Sequence, residues 1–313
     1  MAPDIVGLVV SLALLAAAGD QFILSTSRIA GALRVPPTIV GALVGGLGTS
    51  IPELVVAALA AGRRSPQLAV GSLVGSIIAN VCLALALAAV VAPVRVGSAT
   101  VRREAPLSVI GVVLFGVLAA GGLSVAKGSS MALAIAPAVG LLLVSARHRD
   151  KDALGDEVVE LVAKSPHRPR SEAARVLASL GVMLGGAELL VNSTLGISAR
   201  LGIAQGVAGV TLVGIGTSGP LIASSIQGAR RGEHELVAGN VLGGNLFIAL
   251  CGGALVGLLS PSRARAAALV PLWLMGAVVA LSWLAMAKRR GLTRTDGLLL
   301  LVAYVAMLPF VSR

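Results

Sequence analysis

The chain has 313 residues, of which 56% are hydrophobic and 12% charged, and its mean hydropathy is +0.95. Soluble globular domains carry about 25% charged residues, so this composition excludes an ordinary soluble protein and indicates a membrane protein. The net charge of +11 would raise nucleic-acid binding in a soluble chain. Here it has no aromatic or domain context, so we exclude that class of function.

Ten apolar stretches are long enough for transmembrane helices, each of which needs about 20 mostly apolar residues. They are continuous rather than alternating, which disfavours a β-barrel. The N-terminal "MAPD" lacks the basic segment of a signal peptide, so we predict that the first stretch is a retained helix. We predict an all-α membrane protein with helices over about 4–27, 36–61, 67–94, 105–124, 130–146, 174–198, 203–229, 236–260, 266–287 and 295–312.

The first predicted helix carries Asp20 near its middle, and the sixth carries Glu188 at a similar place. A charged side chain at the centre of a membrane helix costs about 2.5–3.5 kcal/mol or more, and such residues are functional candidates by default. Both acids stand in plain helical sequence. We therefore predict that they pair with serine or backbone groups and serve gating or packing.

The second predicted helix is interrupted by "GTSIPEL" at 48–54. Thr49 and Ser50 precede Glu53 by four and three residues, so the three side chains share one helix face. Pro52 has no backbone N–H and frees carbonyls one turn back, which a membrane tolerates only inside the protein or in a wet cavity. A carboxylate, hydroxyls and free carbonyls are suited to a hard cation.

The third predicted helix contains "GSLVGSIIAN" at 71–80. Gly71 and Gly75 form a small-xxx-small pair that permits close approach of another helix. Ser76 and Asn80 are four residues apart and add two neutral oxygen ligands on one face.

A hydrophilic segment, 147–173, divides the chain into two apolar halves. It contains His148 and His167, but its mixed charges and two prolines predict a solvated linker. We predict a first repeat at 1–146 and a second at 174–313, with five helices each.

The two halves resemble each other at a constant offset of 168 residues. Five spans per repeat is an odd number, so the two copies must cross the membrane in opposite directions. Inverted repeats with matched interruptions indicate a secondary transporter whose site lies near the midplane. The matches include Asp20 with Glu188, Gly48-Thr49-Ser50 with Gly216-Thr217-Ser218, Pro52 with Pro220, Arg63 with Arg231, Gly71 with Gly239 and Gly75 with Gly243.

The Lys and Arg residues predict the orientation. With the N-terminus outside, 18 of them fall on the inner side and 7 on the outer side, in the sense of the positive-inside rule. We predict a plasma (inner) membrane protein with both termini outside and a cytoplasmic 147–173 linker.

The sequence resembles the sodium/calcium exchanger family of the cation/calcium antiporter superfamily. The resemblance covers nearly the whole chain and is carried by "GTSIPEL" with "GSLVGSIIAN", "GTSGPLI" with "GNVLGGNLF", and the flanking helices around Asp20 and Glu188. It implies ten helices in two inverted repeats, with four short helices around an ion site and two long helices that slide across them. The ion ligands that it implies are Thr49, Ser50, Glu53, Ser76, Asn80, Thr217, Ser218 and Asn245.

The second half departs from the family pattern. Leu221 stands where an acid is usual, Ile248 matches Asn80, and Gly244 matches Ser76. Calcium usually takes 6–8 oxygen ligands, often with more than one carboxylate, and a single carboxylate would leave it a net charge of about +1. Ser224 and Ser225, one turn beyond Leu221, are candidates for replacement ligands.

Three functions follow as alternatives. The family default exchanges calcium for sodium or protons, whereas the residues favour a monovalent cation, or sodium/proton exchange at Glu53. A transport-inactive membrane paralogue is the third. No enzyme motif is recognised, and no cofactor is expected. The expected partners are the transported inorganic cations (calcium, sodium or proton) and the lipid bilayer. The sequence leaves the oligomeric state open.

Overall fold

The protein is an all-helical membrane protein in which long helices surround a centre of short, interrupted ones. The computed structural model describes residues 1–33, 46–147, 169–260 and 269–311. Its helices are α1 Ala2–Ala32, α2 Ile51–Gly62, α3 Pro66–Ala79, α4 Ala86–Val91, α5 Ala105–Ala120, α6 Val125–Arg147, α7 Pro169–Leu201, α8 Gln205–Ala208, α9 Gly214–Thr217, α10 Gly219–Arg231, α11 His234–Phe247, α12 Gly253–Leu259, α13 Leu269–Arg289 and α14 Arg294–Val311.

Shorter elements interrupt or join these helices. A 3₁₀ turn, Gly48–Ser50, precedes α2, and two short strands, β1 Val94–Arg95 and β2 Gly291–Leu292, pair antiparallel. Four π-helical turns continue the α-helices at Asn80–Leu85, Thr100–Glu104, Gly209–Val213 and Ile248–Gly252. π-turns are rare and frequently occur at functional sites.

The helices confirm the predicted spans. Within the described ranges, seven helices are long and apolar enough to cross a membrane, or eight when the pair Gln205–Thr217 and Gly219–Arg231, bent by 43°, counts as one. The shorter apolar helix Gly48–Gly62 is the described part of the second predicted span, whose start at 36–45 lies outside the described residues. Helix α14 covers the tenth span.

The linker prediction differs from the structure at its end. Residues 148–168 lie outside the described ranges, and α7 begins at Pro169, five residues before the predicted start of the sixth span. Proline is favoured in the first turn of a helix, because its missing N–H has no intrahelical partner there.

The offset of 168 residues relates the helices and turns of the two halves as well as their residue types. Helix α3, with its π-turn at Asn80, corresponds to α11, with its π-turn at Ile248. The packing also repeats, because α4 lies against α10 as α2 lies against α12. The chain is therefore built from two structurally equivalent repeats.

The buried centre is formed by α3–α4 and α11–α12 with their π-turns. In their most apolar stretches, 78% of residues are buried in each of Pro66–Val91 and His234–Leu259, against 22% in Ala2–Ala32 and 33% in Arg170–Leu201. Helices α1 and α7 pack against each other at the periphery. Their ends are joined by ion pairs between Asp4 and Arg200 (3.0 Å) and between Arg28 and Glu172 (3.4 Å).

The predicted close approach at Gly71 and Gly75 is confirmed. A Cβ atom on either glycine would overlap backbone atoms of the crossing segment, Gly206 for the first and Val210 for the second. Small residues allow this backbone contact, which brings α3 against the interrupted helix of the other repeat.

We expect Gly75→Ala to destabilise the protein by about 1–3 kcal/mol, because the added methyl group has no room beside the Val210 carbonyl. The thermal midpoint in detergent can be followed with a thiol-reactive dye, since Cys82 is buried until the core opens. Gly181→Ala is the matched control, because nothing lies within 4 Å of its Cβ position and alanine favours a helix over glycine. Equal midpoints for the two variants would contradict the packing role of Gly75.

Candidate cation site

Two interrupted helices, one from each repeat, bring polar side chains into the centre of the protein. In the first repeat the 3₁₀ turn Gly48–Ser50 leads into α2, with proline in its first turn. In the second, α9 ends at Thr217 and α10 begins at Gly219, again with proline in its first turn. Prolines and glycines at the same places explain why both helices break there.

Three contacts join the predicted ligands of one repeat to the other repeat. Ser76 Oγ and Thr217 Oγ1 are 3.2 Å apart and share a hydrogen bond. Asn80 Nδ2 donates to Asn245 Oδ1 over 2.9 Å. Ser50 Oγ lies 3.1 Å from the Gly46 carbonyl and 3.4 Å from the Gly244 carbonyl, so it reaches both repeats. The structure thus assembles five of the eight predicted ligand residues across the repeat interface.

Glu53 lies one helical turn beyond Ser50 and is 3% exposed. Its Oε2 atom is buried, and within the described chain it has no hydrogen-bond partner. The side chains of Ser50, Ser76 and Asn80 hydrogen bond to backbone carbonyls and to the other repeat. None of these three side chains therefore donates a hydrogen bond to Glu53 Oε2.

Other buried oxygens at the repeat interface also lack a partner. Ser218 is fully buried, and its Oγ has no hydrogen-bond partner among the described residues. The same holds for Asn80 Oδ1, because that amide uses only its nitrogen toward Asn245. Unsatisfied buried polar atoms are rare in native proteins and mark places for water or an ion. Carboxylate, amide and hydroxyl oxygens are ligands for hard cations.

A cavity of about 110 Å³ lies between α1 and the two interrupted helices. It is partly open, and Thr49 and Asp20 are polar residues of its lining. Leu221, which stands where the family usually has a second acid, also lines it. Ile248 is not among its lining residues but is fully buried at the start of its π-turn. The residues that line the cavity include Asp20, Thr49, Pro52, Thr217, Pro220, Leu221 and Ser224.

Glu188 has a partner that the sequence analysis missed. It forms an ion pair with Arg63 at the end of α2, and Arg63 Nη1 also donates to Asn192 Oδ1 over 2.7 Å. The prediction that Glu188 pairs with serine or backbone groups was wrong, because a nearby guanidinium satisfies a carboxylate better than neutral donors do. In the sequence, the match of Arg63 with Arg231 between the repeats was the feature that could have indicated an arginine partner.

The described residues contain no cluster of three or more His, Cys, Asp or Glu side chains that could hold a metal ion. The free cysteine Cys82 is buried, and the free cysteine Cys251 is partly buried. The repeat interface therefore offers a cation one carboxylate and several neutral oxygens.

Known proteins resemble this chain along nearly its whole length. The family model described as sodium/calcium exchanger protein matches residues 4–146 and 172–313. The putative antiporter CaxA of Alkalimonas amylolytica is 33% identical over 95% of this chain and 94% of its own length. The inner membrane protein YrbG of Escherichia coli (strain K12) is 30% identical over 82% of this chain and 80% of its own.

The fold is that of a solved exchanger. The sodium-calcium exchanger NCX_Mj, from crystals soaked with Na⁺ and Sr²⁺, superposes with a TM-score of 0.68 at 26% sequence identity, and 98% of each chain is covered. The two-repeat, ten-helix architecture expected from the sequence is confirmed by this likeness and by the two matched segments.

Proposed function

Because this chain belongs to the sodium/calcium exchanger protein family and is a multi-pass membrane cation antiporter, we propose that it carries its cations at one site centred on Glu53. The site comprises Glu53 with the neutral oxygens of Thr49, Ser50, Ser76, Asn80, Thr217, Ser218 and Asn245. These residues come from both repeats, so a movement of one repeat against the other changes the access to the site.

One observation carries this proposal: Glu53 is a buried carboxylate for which the described chain supplies no cationic partner. Glu172 is equally buried, at 3% exposure, but it is paired with Arg28 and Arg175. An isolated carboxylate in an apolar interior is strongly unfavourable unless it is neutralised. Glu53 therefore requires a bound cation or a proton, and an exchange of one for the other gives an antiport cycle.

The charge of the site favours a monovalent cation. One carboxylate and one Na⁺ sum to zero, whereas Ca²⁺ would leave a net charge of about +1 in a site of low dielectric. Leu221 supplies methyl groups to the cavity lining where the family usually has an acid. We propose that sodium, exchanged for protons or another cation, is the preferred substrate.

Calcium is the second candidate substrate, and the comparisons support it. NCX_Mj is named as a sodium-calcium exchanger. Neutral oxygens from the second repeat, with Ser224 at the cavity lining, are the replacements that a calcium site would need. This candidate requires ligands other than carboxylates, since Glu53 is the only acid in the proposed ligand set.

We also propose both termini outside, repeats at 1–146 and 174–313, and a cytoplasmic linker at 147–173. The ion pairs support the grouping of segments on the two sides, because they join segments for which the charge distribution predicts the same side. Asp4 and Arg200 meet at one end of α1, and Arg28 and Glu172 meet at the other. Arg95 and Gly291 pair in the small sheet, next to Arg290, on the predicted inner side.

The function is tested by ion flux in proteoliposomes that contain the purified protein, with imposed gradients of Na⁺, K⁺, Ca²⁺ or H⁺. We expect a sodium gradient to drive proton movement and a proton gradient to drive sodium movement. We expect calcium uptake to be at least about tenfold weaker at equal concentration, because the site has half the negative charge that Ca²⁺ requires.

The contrary results are equally specific. Efficient calcium transport at micromolar concentration would overturn the monovalent assignment and favour the second candidate. Absence of exchange with all four cations, in protein that remains folded, would favour the transport-inactive alternative.

A further inference from the structure

Arg63 and Arg231 occupy equivalent places in the two repeats. Each lies at the C-terminal end of the helix that carries the interrupted motif, α2 or α10. The next residue has left-handed backbone in both cases, with φ of 59° at Arg64 and 78° at Gly232. The same backbone hydrogen bonds close both turns. The two arginines therefore stand at equivalent backbone turns.

The partners of the two arginines are not equivalent in this structure. Arg63 is paired with Glu188 of α7. The counterpart of Glu188 is Asp20 of α1, yet neither Asp20 nor Arg231 forms an ion pair within the described ranges, and both are exposed. The two repeats thus carry the same pair of charges, and the structure joins only one of them.

The position of α1 explains the difference. Helix α7 packs along α2 up to Arg63, whereas the cavity separates α1 from α10, with Asp20 lining it beside Pro220 and Ser224. Ser224 lies seven residues before Arg231, which is about 10 Å along a helix. The cavity therefore extends along α10 as far as Ser224, whereas on the α2 side its lining ends at Pro52. Ser224 is accordingly exposed, while its counterpart Val56 is 0% exposed.

Helices α1 and α7 are tied into one unit. Ion pairs hold both ends of the contact, and the Cβ position of Gly186 on α7 lies 3.3 Å from Leu14 and 3.4 Å from Leu15 of α1. Within this unit Glu188 lies toward the Asp4–Arg200 end and Asp20 toward the opposite end. A shift of the unit that brings Asp20 to Arg231 takes Glu188 away from Arg63.

We propose that Arg63–Glu188 and Arg231–Asp20 are alternative ion pairs, each of which holds the antiporter in one of its two access states. The structure shows the first pair formed, with the cavity extending along α10. The second pair closes that cavity and opens its counterpart along α2. This inference rests on the proposed antiport function, because a transport cycle requires two such states.

The two states are distinguished by cysteine labelling of the full-length protein in proteoliposomes, with Cys82 and Cys251 replaced by alanine. Ser224→Cys reports the cavity of the state in this structure, and Val56→Cys reports its counterpart. We expect Glu188→Gln to raise the labelling rate of the Val56→Cys reporter by about two- to fivefold and to lower the labelling rate of the Ser224→Cys reporter. The change is small because a half-exposed ion pair stabilises one state over the other only modestly. Asp20→Asn should shift both rates the opposite way.

Several controls keep the proposal falsifiable. The double variant Arg63→Glu with Glu188→Arg, which exchanges the two charges, should restore the parent ratio of labelling rates. The controls Arg64→Gln and Arg230→Gln change residues next to the two arginines and should leave the ratio unchanged. A misfolded variant would raise both rates together. The proposal is overturned if Glu188→Gln and Asp20→Asn shift the ratio in the same direction or not at all. The labelling needs no ion flux, so failure of the transport assay would not by itself change this result.

Discussion

Replacing Glu53 with glutamine is expected to abolish cation-driven exchange, with a fall in flux of about a hundredfold or more, while the protein remains folded and inserted. Glutamine keeps the shape of the side chain and removes the negative charge that binds the cation. Removing one partner of a buried charged interaction costs about 3–5 kcal/mol, which corresponds to such a loss of affinity. Flux in proteoliposomes, driven by sodium and proton gradients, is the measurement.

The stability of the same variant separates loss of the site from loss of the fold. A cation that binds only the native protein raises its thermal midpoint. We therefore expect sodium to stabilise the parent protein and to have no effect on Glu53→Gln, whose midpoint without sodium should equal or exceed that of the parent. Glu233→Gln, outside the proposed ligand set, is the matched control and should retain both flux and stabilisation. Unchanged flux in Glu53→Gln would mean that the cation binds elsewhere.

The second large effect is expected from Leu221→Glu, which places an acid in the cavity lining at the position equivalent to Glu53. A second carboxylate balances the charge of Ca²⁺, so we expect calcium affinity to rise at least about tenfold above the parent. Adding Ile248→Asp should raise it further. That second change also lowers stability, because Ile248 is fully buried. Calcium affinity is measured by titration of the purified protein and by radioactive calcium uptake.

Leu221→Gln is the control for this experiment, because it supplies a polar side chain of similar size without a charge. We expect it to bind calcium no more than twofold better than the parent. If Leu221→Glu and Leu221→Gln gave the same affinity, charge would not be what limits calcium binding. In that case shape or missing neutral ligands would be the cause.

Much of the architecture could be predicted from residue types alone. Continuous apolar stretches predicted the helices, since a membrane requires every backbone polar group to be satisfied within the segment. The close approach at Gly71 and Gly75 followed from their missing side chains and is confirmed by the contact with Gly206 and Val210. The interruptions at Pro52 and Pro220 followed from the missing N–H of proline.

The contacts of the candidate site could not be predicted in the same way. The hydrogen bond between Asn80 and Asn245 depends on how two repeats, 165 residues apart in sequence, are placed against each other. Ile248 does not line the cavity, and neither does its counterpart Asn80, which begins the corresponding π-turn of the first repeat. Which residues line the cavity depends on how the helices of the two repeats pack against each other and not on the residue types alone.

The sequence by itself determined that two equivalent repeats exist and that each carries an acid, an interrupted helix and an arginine at the same spacing. It gave Asp20 and Glu188 the same role, because their surroundings in the sequence are alike. Only the tertiary structure decided that Glu188 reaches Arg63 while Asp20 faces an open cavity. The physical reason is that α7 packs along α2 up to Arg63, whereas the cavity separates α1 from α10.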